Sequence, residues 1–172
     1  EFYVTRPELE GAPLQPMHPL EIKARDGLTL VSYLTLPPGS DGTKPASPLP
    51  MVLLVHGGPW ARDGYGFNRM HQLLANRGYA VLQVNFRSST GYGEKFLWGT
   101  WGAWGTNDGR DVMAGVDYVL GRLPIDRKRV ATIGHSYGGF MTNWLITQYP
   151  DRFAAAIPGA GIVNWMSDYG TA

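Results

Sequence analysis

The segment around Ser136 has residue types and spacing that suit nucleophilic catalysis. Ser136 is the central residue of a G-x-S-x-G pattern formed with Gly134 and Gly138. An apolar strand, predicted over 130–133, precedes the pattern, and a helix, predicted over 140–148, follows it. A serine on so sharp a turn occupies strained backbone, and glycines two residues before and after it remove side-chain collisions. The sequence therefore predicts an exposed nucleophile at Ser136, against the alternative of an incidental serine in a glycine-rich turn.

A second glycine-rich turn, His56-Gly57-Gly58-Pro59, suits the stabilisation of the negative oxygen that develops during acyl transfer. It follows an apolar strand predicted over 51–55. Glycines let backbone N–H groups approach an oxyanion without obstruction by side chains. We expect the donors to be the N–H of Gly58, or of a residue next to it, and the N–H of Tyr137, which follows the nucleophile. Taken alone, the same residues also suit a plain turn at the end of a strand.

Aromatic side chains near these turns are candidates for substrate contacts. Trp60 directly follows the HGGP turn and is predicted to touch substrate. Trp98, Trp101 and Trp104 stand at three-residue spacing among glycines. This pattern suits either a side-chain pocket or a packed loop over the sheet edge, and we expect the packed loop.

Composition limits the classes of protein and partner. The 172 residues carry 15 Lys and Arg against 14 Asp and Glu, so the net charge of +1 gives no reason to expect nucleic acid or an anionic membrane. The absence of cysteine excludes disulfides, thiolate metal sites and cysteine nucleophiles. No cluster of His, Asp and Glu has metal-ligand spacing. The longest aliphatic run, 51–55, is too short to cross a bilayer, and no signal peptide is recognisable, which favours a cytoplasmic protein.

The order of the predicted elements indicates the α/β class. Residues 1–19, with four prolines and no period, are predicted to form an extended lead-in or linker. Asp26-Gly27 between apolar runs predicts an antiparallel hairpin of strands 21–25 and 28–36. After a surface loop at 37–50, strands and helices alternate, which predicts a mostly parallel, doubly wound sheet. The predicted strands are 51–55, 79–86, 130–133 and 153–158, and the predicted helices are 67–77, 111–120 and 140–148, with an irregular segment at 87–109.

Side-chain spacing also assigns inner faces to two of these helices. The residues expected to face the sheet are Met70, Leu73 and Leu74 in the first helix and Val112, Val116 and Val119 in the second. His71 is expected to be exposed or half-buried. Arg87 and Asp111 are predicted, from charge alone, to form a buried ion pair at the rim of the cleft.

Four motifs together resemble the catalytic domain of the prolyl oligopeptidase family, closest to its acylaminoacyl-peptidase and dipeptidyl-aminopeptidase branch. They are HGGP (56–59), NFRSSTGYG (85–93), GRDVMAGVDYV (109–119) and GHSYGGFMT (134–142). The resemblance covers about 20–168 and implies an α/β-hydrolase fold, a serine nucleophile, no metal or organic cofactor, and a β-propeller before the hydrolase domain. It implies a structural role for His56 and places Tyr92 at the cleft rim, where it is a possible substrate contact. Residues 20–172 would then be the N-terminal part of a hydrolase domain.

The sequence departs from the family in its catalytic triad, which in this fold runs Ser, Asp, His along the chain. All four histidines precede Ser136: His18, His56, His71 and His135. Adjacent residues on a sharp turn point apart, so His135 is expected to pack beside the turn rather than act as the base. Asp151 and Asp168 come too early for the family's acid. The domain is therefore predicted to be truncated before its last strands, with the triad Asp and His downstream.

These expectations lead to one hypothesis and two alternatives. The leading hypothesis is a serine peptidase that cleaves peptide or small acyl substrates through an acyl-enzyme on Ser136. One alternative is a carboxylesterase acting on short acyl esters. The other is an inactive structural fragment that needs a second polypeptide. An unpaired apolar strand at 153–158 would be prone to aggregation, so a second polypeptide or a homo-oligomer is expected to cover it.

Overall fold

One six-stranded sheet organises the part of the chain that the computed structural model describes, residues 6–40, 45 and 47–171. The strands are β1 (Met17–Lys23), β2 (Thr29–Thr35), β3 (Leu49–Val55), β4 (Ala80–Val84), β5 (Ile125–His135) and β6 (Ala155–Gly159). The helices are α1 (Arg69–Ala75), α2 (Glu94–Leu97), α3 (Asn107–Arg122), α4 (Tyr137–Gln148) and α5 (Trp165–Tyr169), with 3-10 turns at Pro7–Leu9 and Pro150–Arg152. Within these ranges, no helix has both the length and the apolar character that a bilayer span requires.

The sheet has the order β1-β2-β4-β3-β5-β6 and is mostly parallel. Strand β3 pairs in parallel with β4 and β5, and β5 pairs in parallel with β6, while β1, β2 and β4 pair antiparallel. The predicted α/β architecture with an N-terminal antiparallel hairpin is confirmed. Because Val55 pairs with Gly134, the carboxyl ends of β3 and β5 lie side by side. This register brings the two glycine-rich turns to the same edge of the sheet.

Strand β3 separates two apolar layers. Met51, Leu53 and Val55 pack into the larger cluster, together with side chains of α3 and α4. Val52 and Leu54 point to the opposite face and pack there against partly buried side chains that include one from α1. The alternation follows from the two-residue period of a strand. The three predicted inner valines of α3 are 0–1% exposed, as expected.

The predicted lead-in is shorter than expected, because β1 begins at Met17 and includes Pro19. Because proline donates no hydrogen bond to a sheet, the prolines of residues 1–19 predict a later start for this strand. Strand β1 is an edge strand that pairs only with β2, and an edge strand tolerates proline. Of the rest of the lead-in, the 3-10 turn lies within the described residues, whereas residues 1–5 lie outside them.

The predicted inner face of α1 is wrong. Met70 and Leu73 are 43% and 46% exposed, and of the predicted trio only Leu74 packs against the sheet. The fully buried positions of α1 are His71 and Ala75, and the Nδ1 of His71 lies 2.8 Å from the hydroxyl oxygen of Thr35 on β2. Burial lowers the pKa of His71 to about 4, so the ring is neutral. A buried polar partner on β2 thus sets the orientation of this helix.

Ordered helix occupies part of the segment predicted to be irregular. Helix α2 lies within 87–109, and α3 begins at Asn107, four residues before its predicted start at Asp111. The first turn of α3 holds polar residues and a glycine, so its apolar spacing gives no signal. Its buried carboxyls, Asp108 and Asp111, instead accept hydrogen bonds from other segments.

Candidate active site

Ser136 lies at the sharp junction between β5 and α4. The residue is exposed, and its backbone has φ 59° and ψ −120°, a region that non-glycine residues rarely adopt. Two backbone hydrogen bonds hold it there. The N–H of Ser136 donates to the carbonyl of Gly159 on β6 over 2.9 Å, and the N–H of Phe140 donates to the carbonyl of Ser136 over 3.0 Å. Strain of this kind persists only where the surroundings over-determine it, and it clusters at functional sites.

Three glycines let this turn pack against neighbouring main chain. A Cβ on Gly134 would lie 2.2 Å from the carbonyl oxygen of Gly138, and a Cβ on Gly138 would lie 2.1 Å from that of Val55. A Cβ on Gly139 would lie 2.3 Å from the carbonyl oxygen of Gly159. Side chains at these positions would displace backbone. The G-x-S-x-G pattern predicts Gly134 and Gly138 but not Gly139, for which the doubled glycine was the available signal.

The Gly57-Gly58 turn lies against Ser136. A Cβ on Gly57 would be 3.9 Å from the Oγ of Ser136. Gly58 has φ 128° and is joined to Pro59 by a cis peptide bond. Tyr137 is the first residue of α4, so its N–H has no acceptor within the helix. Both predicted oxyanion donors, Gly58 and Tyr137, therefore belong to segments that adjoin Ser136.

His56 holds this turn in place. Its Nδ1 lies 2.8 Å from the carbonyl oxygen of Gly57, its Nε2 lies 2.8 Å from the hydroxyl of Ser89, and its ring stacks on Phe86 at 4.4 Å. Burial lowers the pKa of His56, so the ring is neutral and Nδ1–H donates to Gly57. With both nitrogens engaged, this histidine orients the turn.

An aromatic cavity of about 590 Å³ opens beside the elbow. Its lining consists of Trp60, Trp101, Gly102, Trp104, Phe140, Trp144 and Trp165. Phe140, which lines the cavity, donates a hydrogen bond from its N–H to the carbonyl of Ser136. Trp101 also stacks on Trp60 at a centroid distance of 5.8 Å, and the exposed Trp98 meets both rings edge to face, at 5.9 Å from Trp60 and 5.0 Å from Trp101. The tryptophan segment therefore contributes both to a pocket and to a packed loop.

The predicted ion pair between Arg87 and Asp111 is confirmed. The Nε and Nη2 of Arg87 donate to the two carboxylate oxygens of Asp111 over 2.7 and 2.8 Å, and the Arg87 N–H donates to Oδ2 over 2.9 Å. The guanidinium also bonds the exposed Asp26 of the hairpin. Burial raises the pKa of Asp111, an effect that its hydrogen bonds from Arg87 oppose. The pair joins the hairpin, the residues after β4, and α3.

Replacement of Asp111 with asparagine is expected to lower the free energy of unfolding by about 3 kcal/mol, because it leaves the largely buried guanidinium without its main charge partner. Asp26→Asn is the matched control, since it removes the exposed partner of the same arginine and is expected to cost less than about 1 kcal/mol. Urea unfolding of both variants measures the difference. Equal losses would contradict the assignment of Asp111 as the dominant partner.

Comparison with known proteins agrees with this geometry. The sequence model of the prolyl oligopeptidase family matches residues 65–172, which include the elbow and α3. The chain belongs to the prolyl oligopeptidase family. Within that family it is 47% identical over 167 residues to dipeptidyl aminopeptidase BIII of Pseudoxanthomonas mexicana, an alignment that covers 95% of this chain and 24% of that protein.

Solved structures of family peptidases share the fold. The uncomplexed acylaminoacyl peptidase of Pyrococcus horikoshii matches with a TM-score of 0.89 and 32% identity, over 99% of this chain and 27% of that one. An acylaminoacyl peptidase in complex with Z-Gly-Gly-Phe-chloromethyl ketone matches with a TM-score of 0.89 and 31% identity, over the same shares. The predicted family and α/β-hydrolase fold are confirmed. The chain spans about a quarter of the length of these relatives.

The histidines and aspartates considered for the triad do not form a catalytic arrangement with Ser136 in the described part of the chain. His135 is exposed beside β6, where a Cβ on Gly159 would be 3.3 Å from its ring. His71 is a buried residue of α1, and Asp151 lies in the exposed 3-10 turn before β6. Asp168 lies on α5. Across the described ranges, no three His, Asp or Glu side chains come close enough to hold a metal ion.

Tyr92 is not among the residues that line the aromatic cavity. Its hydroxyl oxygen accepts a hydrogen bond from Nδ2 of Asn85, which also donates to the carbonyl of Asp63. The N–H of Asp63 donates to Oδ1 of Asn85 over 2.8 Å, and its own Oδ1 accepts from Nε2 of Gln83 over 2.8 Å. Tyr92 thus supports, through Asn85, the loop that carries Trp60.

Asp63 is expected to make stability depend on pH. Burial raises its pKa to about 7, so the folded state keeps a proton that the unfolded state releases near pH 4. Its contribution to stability is therefore complete below about pH 4 and is lost as the pH rises to about 7. The change in the free energy of unfolding caused by Asp63→Asn is expected to be more stabilising at pH 8 than at pH 4, by roughly 2–4 kcal/mol.

Unfolding measured from pH 4 to pH 8 checks this expectation. Asp151→Asn controls for the change in net charge, since that carboxyl is exposed on the turn before β6. Parallel stability curves for the unsubstituted protein and Asp63→Asn would contradict the elevated pKa.

Several residues of the site were missed by the sequence analysis. Phe140 and Trp144 follow Ser136 by four and eight residues, which places them on one face of α4, and this helical spacing was a usable signal. Trp165 and Asp108 had no local signal, because they reach the site from α5 and α3.

Proposed function

We propose that the protein is a serine peptidase that acts through an acyl-enzyme on Ser136. The Oγ of Ser136 bonds to the carbonyl carbon of the substrate as a base takes its proton. The N–H groups of Tyr137 and Gly58 donate to the resulting oxyanion. The amine then leaves with a proton, and water hydrolyses the acyl-enzyme. The observation that carries this proposal is the exposed Ser136 at φ 59°, enclosed by glycines and facing the Gly57-Gly58 turn.

The acid and base of the triad belong, in this proposal, to a part of the protein outside residues 1–172. The chain spans about a quarter of its relatives' length. His71 and His56 are hydrogen-bonded to other residues. His135 is the chain neighbour of Ser136 and is exposed beside β6. Strand β6 is the last strand of the described sheet, and its Ile157 is 61% exposed. We propose that a further part of the protein, or another polypeptide, covers this edge.

The aromatic cavity favours substrates with an apolar side chain next to the cleaved bond. Its walls are five tryptophans, a phenylalanine and a glycine, which offer stacking surface and no charge. Burial of an aromatic side chain in such a cavity stabilises a complex by about 2–3 kcal/mol. The Z-Gly-Gly-Phe ligand of a related acylaminoacyl peptidase supports this reading, because it places a phenylalanine on the reactive carbonyl.

A fluorophosphonate probe, read by denaturing intact mass and peptide mapping, tests the nucleophile. We expect one probe on Ser136, together with a second polypeptide or a longer chain that supplies the base. Release of p-nitroaniline from acyl-Phe-p-nitroanilide is expected to exceed release from the acyl-Asp analogue by at least about tenfold in kcat/KM. Hydrolysis of p-nitrophenyl esters without any anilide cleavage would favour a carboxylesterase. No labelling at all would favour an inactive structural fragment.

A further inference from the structure

A buried hydrogen bond links helix α3 to the residue that carries one oxyanion donor. Asp108 lies in the first turn of α3 and is 0% exposed, while Tyr137 begins α4 and is 4% exposed. The hydroxyl of Tyr137 donates to Oδ2 of Asp108. The two residues are 29 positions apart, so the bond joins two helices that meet at the elbow.

The carboxylate of Asp108 is itself fixed by main chain. The N–H of Gly105 donates to its Oδ2 over 3.1 Å, and the N–H of Gly109 donates to its Oδ1 over 2.9 Å. A buried carboxylate is tolerated only when its oxygens are hydrogen-bonded in this way. Burial and the neighbouring Asp108 raise the pKa of Tyr137, so its hydroxyl keeps the proton that it donates.

The ring of Tyr137 is also held on several sides. It stacks on Phe86 at 5.8 Å, meets Trp104 edge to face at 5.0 Å, and lies 5.4 Å from Phe140. The hydroxyl bond fixes the far end of the side chain, and the aromatic contacts fix its plane. Together they leave the backbone of Tyr137 little freedom to move.

This restraint bears on an N–H whose position controls transition-state stabilisation. The N–H of Tyr137 follows the strained backbone of Ser136, which would relax if its surroundings allowed. Loss of one oxyanion donor costs about 10²–10³ in kcat, and a displacement of about 1 Å costs about 10². An element that prevents such relaxation therefore contributes to catalysis without touching the substrate.

We propose that Asp108 is a positioning residue for the oxyanion hole, acting through the hydroxyl of Tyr137 to fix the Tyr137 N–H. This inference rests on the proposed function, because an oxyanion forms only if Ser136 attacks a carbonyl carbon. Asp108 contacts no reacting atom. Asp108 contributes to stabilisation of the oxyanion in the transition state. Its loss therefore changes kcat and leaves ground-state binding of the substrate unaltered.

The test uses the whole protein that contains this chain, with the variants Tyr137→Phe, Asp108→Asn and the double variant. Tyr137→Phe removes one oxygen and keeps the ring contacts, so it reports even if Asp108→Asn does not fold. Asp117→Asn is the matched control, because it removes an exposed carboxyl, paired with Arg152, from the same helix. Melting temperature and circular dichroism establish that each variant is folded.

We expect each single variant to lower kcat by roughly 10- to 100-fold, with KM within about twofold of the unsubstituted value. Affinity for a peptide aldehyde, which forms a tetrahedral adduct on the serine, is expected to fall by the same factor. The double variant is expected to be no worse than either single one, because Tyr137→Phe removes the donor of this hydrogen bond and Asp108→Asn replaces its charged acceptor with a neutral amide. Asp117→Asn is expected to change none of these quantities.

Two results overturn the inference while leaving the proposed function intact. One is a folded Tyr137→Phe protein whose kcat and aldehyde affinity match those of the unsubstituted protein. The other is a double variant whose loss equals the product of the single losses, because Asp108 would then act independently of Tyr137. If the unsubstituted protein neither reacts with a fluorophosphonate nor cleaves substrate, the proposed function fails, and this inference fails with it.

Discussion

Replacement of Ser136 with alanine is expected to abolish fluorophosphonate labelling and to lower kcat by about 10⁴- to 10⁶-fold. In the proposed mechanism the Oγ forms the acyl bond, and alanine leaves only the proposed oxyanion donors and the aromatic cavity. Those remaining groups can still retain roughly 10³-fold catalysis over water. The measurement is the single-turnover release of p-nitrophenol from an ester, followed beside intact mass.

Ser47→Ala is the matched control for this result. Ser47 is an exposed serine that precedes the opposite end of β3, where Leu49 pairs with Ile125. Its replacement is expected to leave both labelling and turnover unchanged. A Ser136→Ala protein that is still modified once by the probe would show that another residue is the nucleophile, and the assignment of the elbow would be wrong.

The second large effect is expected from Gly138→Ala, which should lower the free energy of unfolding by more than about 4 kcal/mol and abolish labelling. A Cβ on Gly138 would lie 2.1 Å from the carbonyl oxygen of Val55 and 3.1 Å from that of His56. These are main-chain atoms at the end of a central strand, so relief requires β3 or α4 to move. Either movement changes the position of the Gly58 turn relative to the N–H of Tyr137.

Gly121→Ala separates this steric effect from the general consequences of adding a methyl group. Gly121 lies in the last turn of α3, where an added Cβ meets no atom within 4 Å. That variant is expected to gain about 0.5–1 kcal/mol, because alanine favours helix over glycine. Urea unfolding of the two variants gives the comparison. A Gly138→Ala protein as stable as the unsubstituted one would contradict the packing described for the elbow.

Sequence reasoning succeeded where the signal is local. The G-x-S-x-G spacing predicted a strand, a turn and a helix, and the structure has β5, Ser136 and α4 in that order. Asp26-Gly27 correctly predicted the hairpin but not its two-residue turn, because Lys23 pairs with Thr29 and residues 24–28 connect the strands. The roles of Ser136, Gly58 and Tyr137 in catalysis remain predictions that the variants above examine.

Sequence reasoning failed where a distant partner decides the outcome. His71 was expected at or near the surface, yet it is buried because Thr35, 36 residues earlier in the chain, offers it a hydrogen bond. Asp108 gave no signal for a similar reason, because its partner Tyr137 follows it by 29 residues. The apolar period that identifies a helix face says nothing of such pairs.

Helix α3 carries its two buried carboxyls one turn apart, and each serves a different part of the site. Asp111 binds the arginine behind the cleft rim, and Asp108 binds the tyrosine beside the nucleophile. Arg87 and Tyr137, the residue proposed to carry an oxyanion donor, are therefore both bonded to α3, and a shift of that helix moves both. For protein engineering, this shared attachment to α3 distinguishes side chains that can be exchanged from a backbone segment that cannot be moved. Under the proposed function, exchanging side chains that line the cavity, such as Trp101, is expected to change specificity, whereas insertions that displace the start of α3 are expected to lower turnover as well.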